Sequence, residues 1–161
     1  MVKGMTHVTK GRSFLGAPLF PLGLFELSLL VFQFVIGMYL NLFVNIPAAI
    51  SFSRMMSLSV SYDGFGFVMF HMMLGMLIAF VSLGMLVMSF FNGHSLTTVI
   101  SLALFLSILL AGINGLLFLF GGQNNINSYL MSIGFILSII FDMLLIMFVN
   151  AGQNIHLRKA S

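Results

Sequence analysis

Residues Gly64–Phe91, "GFGFVMFHMMLGMLIAFVSLGMLVMSFF", decide the class of this protein. His71 is the only ionisable side chain in the run. A helix needs about 20 residues to cross a hydrocarbon core about 30 Å thick, and this stretch exceeds that without a single proline. Three more stretches read the same way: roughly Leu22–Ile46, Thr97–Phe120 and Ser128–Val149. Each satisfies its own backbone groups only as a helix, because lipid offers no hydrogen-bond partner. The shorter alternating segments of a β-barrel are absent from the sequence.

Composition agrees. Of the 161 residues, 60% are hydrophobic and 6% charged, whereas a soluble domain carries about 25% charged residues. The chain lacks cysteine, which excludes disulfides, cysteine-ligated iron–sulfur clusters, thiolate zinc sites and thiol nucleophiles. The net charge of +3 sits mainly at the chain ends. That placement speaks for membrane topology and against nucleic-acid binding.

Lys3, Lys10 and Arg12 precede the first span; Arg158 and Lys159 follow the last. The positive-inside rule places both ends in the cytoplasm, and an even number of spans agrees with both ends lying on one side. The first apolar run is too long for a cleaved leader and ends without a small-residue cleavage site, so it reads as a retained helix. The turns "FFNGHSL" and "FGGQNNINS" are short and carry Gly and Asn breakers. Short turns join antiparallel neighbours, so the expected fold is all-α: one domain, an antiparallel four-transmembrane-helix bundle. The longest connection, residues 47–63, mixes Ser with Met, Ile and Val. It is expected outside, part of it resting on the membrane surface.

At 100° per residue, each span shows one stripe of small and polar residues. In the first span Glu26, Gln33, Gly37, Asn41 and Asn45 fall within an arc of about 120°. In the second, Gly64, His71, Gly75, Ser82 and Ser89 fall within about 40°. Ala103, Ser107, Asn114 and Gly121 mark the third, and Ser128, Ser138 and Asp142 the fourth. Small residues let membrane helices approach and polar ones bond between them, so the stripes are expected to face one another.

Depth along the spans sorts these residues into two levels. Asn41 lies about 8 Å, and His71 and Asn114 about 9 Å, below the outer ends of their spans; Asn45 is higher. Glu26 lies about 6 Å and Asp142 about 10 Å from the cytoplasmic side, with Gln33 between the levels. The outer group, His71, Asn41, Asn45 and Asn114 with Gly75, suits a quinone head group, since amides donate to carbonyl oxygens and histidine exchanges a proton. His71 followed by Gly75 one turn later also suits haem b: the imidazole ligates iron and the glycine admits the macrocycle. The spans hold no second histidine, so a six-coordinate haem needs a Met or a dimer mate. The plainer reading has His71 bonded to Asn114 or Asn41, joining helices. Glu26 and Asp142, with Gln33, read as proton-transfer groups or as contacts to a Lys or Arg of a partner. Catalytic nucleophile arrangements and phosphate-binding glycine loops are not visible.

Three pieces, "GMYLNLFVNIP", "FHMMLGML" and "AGINGLLFLFGG", resemble a scattered group of small four-helix membrane proteins of bacteria and archaea of unassigned function. The distinctive positions are Gly37, Asn41, Pro47, His71, Gly75, Asn114 and Gly115. The resemblance implies that the outer cluster belongs to the group's pattern, and it implies no reaction. A looser similarity is to haem-binding four-helix modules such as half of a haem A synthase or a b-type cytochrome, which place paired histidines in the bundle. Together these features lead to the expectation of a small non-catalytic subunit of a larger energy-converting or respiratory oxidoreductase complex in the cell membrane. Its partners would be lipids and other membrane subunits or further copies of the chain. The alternatives are a haem b electron carrier using His71 and a small transporter or channel.

Overall fold

The structure is a computed structural model that describes residues 18–44, 65–92 and 94–160, without the side chains of residues 65 and 153–160. Four helices account for nearly all of it: α1 (Leu19–Phe43), α2 (Phe65–Asn92), α3 (Ser95–Phe120) and α4 (Asn125–Ala160). All four are long and apolar enough to cross a membrane. Each packs against its chain neighbours and α4 closes the ring against α1, with the most extensive contact between α3 and α4. Asn45, Pro47 and the connection that follows lie outside the described residues.

The ends of the helices have local causes. α1 starts three residues before the expected Leu22. Pro21 falls in its first turn, where a missing N–H loses no intrahelical bond. Leu22 N–H donates to the Pro18 carbonyl at 3.1 Å. The α2–α3 turn is fastened by Thr98, whose hydroxyl donates to the Ser89 carbonyl at 3.0 Å. Beyond the end of α3 at Phe120 the chain turns at Gly122, which has the left-handed φ of +84° that glycine adopts without strain. Gln123 N–H then donates back to the Phe118 carbonyl at 3.0 Å, a Schellman-type closure. Asn124 Oδ1 caps α4 by accepting from Ile126 N–H at 3.0 Å. α4 runs past the expected end at Val149 to Ala160. Hydropathy drops there, but Ala, Gln, Leu, Arg and Lys are good helix formers and carry the backbone on without lipid.

Burial follows a heptad rhythm. On α1 the inward positions are Leu19, Gly23, Glu26, Leu30, Gln33, Gly37 and Leu40, in alternating steps of four and three. On α2 they are Val68, His71, Gly75, Ile78, Ser82, Met85, Ser89 and Asn92. A repeat of 3.5 residues is the signature of left-handed supercoiling, with shallow crossing angles. Large apolar side chains such as Phe25, Phe32, Leu42, Met73, Phe80 and Phe90 point outward. In water such a surface would aggregate; here it is the face that meets lipid.

The α3–α4 pair is the tightest. A Cβ on Gly134 would stand 2.7 Å from Ala111 N and 2.8 Å from Ser107 O, so the two backbones touch there. Ser107 and Ser138 turn their hydroxyls back onto their own helices, to Ala103 O at 2.7 Å and Gly134 O at 2.8 Å. That removes two polar groups from competition for the interface.

Candidate functional site

Two polar levels occur inside the bundle, as depth along the spans suggested, but their membership differs from that expectation. The lower level is built by Gly23 and Glu26 of α1, Ser82 of α2 and Asp142 of α4. Glu26, Ser82 and Asp142 are each 0% exposed. Gly23 makes the approach of α4 feasible: a Cβ there would meet Ile146 at 2.8 Å and Asp142 Oδ1 at 3.5 Å. Asp142 therefore reaches α1 within about one helical turn of Glu26. None of the side-chain oxygens of Glu26, Ser82 and Asp142 makes a hydrogen bond. Among the described residues of the spans there is no Lys or Arg to neutralise the pair.

The upper level is an interlock between α1 and α2. Gln33 Nε2 donates to the His71 carbonyl at 3.0 Å and stands 3.2 Å from His71 Nε2. A Cβ on Gly75 would lie 3.2 Å from Gln33 Nε2, and one on Gly37 would lie 3.1 Å from His71 Cε1. Each long polar side chain thus rests on the glycine of the facing helix. The register carries downward: seven residues below Gln33 on α1 is Glu26, and seven beyond Gly75 on α2 is Ser82. Leu30 and Ile78, 3% and 2% exposed, separate the two levels with an apolar layer.

The other expected outer residues do not join His71. Asn114 is buried, but its amide donates to its own helix at Leu110 O, 2.8 Å away. Asn41 is exposed on the outside of α1, and Asn45 lies outside the described residues. The exposure of Asn41 has a geometric cause. Successive steps of four from Gln33 to Gly37 to Asn41 drift out of a 3.5-residue seam, and Leu40 takes the inward place. Gly75, read as room for a macrocycle, is covered by the Gln33 amide. His71 Nδ1 and Gln33 Oε1 have no hydrogen bond within the bundle. The imidazole is nonetheless held edge-on against Gly37, so a haem on His71 needs Gln33 displaced.

Sequence reasoning placed Ser82 in a stripe without giving it a role, and it gave Gly23 no role. The heptad spacing Gly23–Glu26 opposite Ser82–Met85 was the available signal, legible once the α1–α2 register is known. Chemically, the lower level is a set of oxygens in an apolar interior. A charge in such a place is strongly disfavoured unless neutralised, so the pair must hold protons or a cation. Compared with protein-family models, curated proteins and solved structures, the chain matches none.

Proposed function

We propose that the protein is a small, non-catalytic integral membrane subunit of a larger energy-converting or respiratory oxidoreductase complex in the cell membrane, contributing a protonatable site inside the bilayer. One observation carries this reading: two carboxyls from different helices are wholly buried at one level of the bundle, without a hydrogen-bond partner and without a Lys or Arg among the described residues of the spans. Such an arrangement destabilises a fold, and intramembrane acids mark proton or ion handling. Their full burial also places them out of reach of a partner's Lys or Arg on the outer surface, which favours proton handling over partner contact for Glu26 and Asp142.

The apolar exterior on every helix supports an assignment as a subunit that packs among lipids and other membrane helices. Partners would be lipids and other membrane subunits. The test is native purification in mild detergent followed by mass spectrometry. Stoichiometric co-purification with redox or ion-translocating subunits is the expected result; a protein that runs alone, or only with copies of itself, overturns the subunit assignment.

A further inference from the structure

We propose that Glu26, Asp142 and Ser82 form an oxygen-only site for a single sodium ion, taken up in exchange for one proton. The inference deepens the proton-handling reading above and rests on it. Five oxygens at this level are buried without a hydrogen-bond partner: Glu26 Oε1 and Oε2, Asp142 Oδ1 and Oδ2, and Ser82 Oγ. Ser82 is the independent sign of a ligand. It is 0% exposed, and its hydroxyl has not folded back onto its own helix as Ser107 and Ser138 have. The α1–α2 register, with Gln33 on Gly75, sets it level with Glu26 seven residues along each helix. Gly23 opens the α1–α4 contact at this level, so Asp142 completes the set from the third helix.

Charge and coordination select the ion. With both carboxyls protonated the site is neutral. One Na⁺ entering as one H⁺ leaves keeps it neutral, with one carboxylate on the ion and the other group still protonated. That balance matters where an uncompensated charge is strongly disfavoured. A calcium ion needs six to eight oxygens, and magnesium keeps several waters. The site offers five unpartnered oxygens, flanked along their own helices by the buried side chains of Leu30, Ile78, Met85 and Leu145. The groups that face it are few: α3 carries no ionisable residue, α2 contributes Ser82, and α1 and α4 contribute the two acids themselves. His71, the only histidine of α2, lies three turns away, about 16 Å along the helix.

The experiment uses the purified full-length protein in nanodiscs and dicyclohexylcarbodiimide, which modifies protonated carboxyls in apolar surroundings. Adducts are read by mass spectrometry. NaCl is expected to slow modification, while KCl and choline chloride at equal concentration do not. The half-effect concentration of Na⁺ should rise about tenfold for each pH unit lowered, as one-for-one exchange demands. Asp142→Asn should abolish the sodium effect. Ser82→Ala should weaken the sodium effect several-fold, judged as the ratio of modification with and without NaCl in that variant. Modification that proceeds but ignores Na⁺ overturns the sodium site and leaves the proton reading standing. No modification at any pH overturns both. Calcium protecting at lower concentration than sodium overturns the monovalent assignment, and an unchanged sodium response in Ser82→Ala removes Ser82 from the site.

Discussion

Gln33 and His71 are each other's lid: the amide of one reaches the backbone carbonyl and ring of the other at 3.0 and 3.2 Å, and each side chain lies over a glycine of the opposing helix. This reciprocal fit locks α1 to α2 and sets the register that brings Glu26 level with Ser82. Gly75→Ala or Gly37→Ala is therefore expected to destabilise the bundle by about 1–3 kcal/mol through overpacking. A double-mutant cycle checks the cause: combining Gly75→Ala with Gln33→Ala should recover part of that loss, because the Gln33 amide is the group in the way. Additive effects in thermal unfolding would sink the interlock.

Glycines elsewhere on the helices carry opposite signs. Gly134→Ala drives a methyl into the Ala111 and Ser107 backbone, where no side chain can rotate aside. A loss of about 3 kcal/mol or more is expected, at the upper end for overpacking. Gly84→Ala and Gly112→Ala meet nothing within 4 Å. They should raise stability by about 0.5–1 kcal/mol each, from reduced backbone freedom in the unfolded chain. Unfolding midpoints in one detergent order the three variants.

Glu26→Gln and Asp142→Asn keep shape while removing a titrating group from the interior. Neither is expected to lower stability by more than about 1 kcal/mol, since a buried acid without partners contributes little to holding the fold. Glu26→Ala, which also leaves a void, should be worse than Glu26→Gln by about 1–2 kcal/mol. If the amide variants unfold as readily as Glu26→Ala, the acids are structural ties.

The chain lacks cysteine, so single cysteines report topology directly. Asn125→Cys, at the start of α4, should react with an impermeant maleimide in intact cells. His94→Cys, in the α2–α3 turn, should react only after permeabilisation. The reverse pattern inverts the orientation drawn from Lys and Arg.

Much of this was legible in the linear chain. Apolar length alone required four helices, because a backbone in lipid must bond to itself. Short Gly and Asn turns made neighbours antiparallel, and the stripes singled out Glu26, His71, Asn114 and Asp142 as inward-facing, as they are. Asn41 misled because a 3.6-residue period was applied where the supercoil follows 3.5, a difference that accumulates over two steps of four.

The amino-acid order by itself determined membrane class, helix number and which residue types face inward, since these depend on hydropathy and on contacts a few residues apart. Only the tertiary structure decided which inward residues meet. Whether His71 finds Asn114 or Gln33, and whether Asp142 stands alone or beside Glu26 and Ser82, depends on the sliding register between helices. That register is fixed by long side chains seated on Gly23, Gly37 and Gly75, a complementarity of shapes on separate helices to which no local period is sensitive.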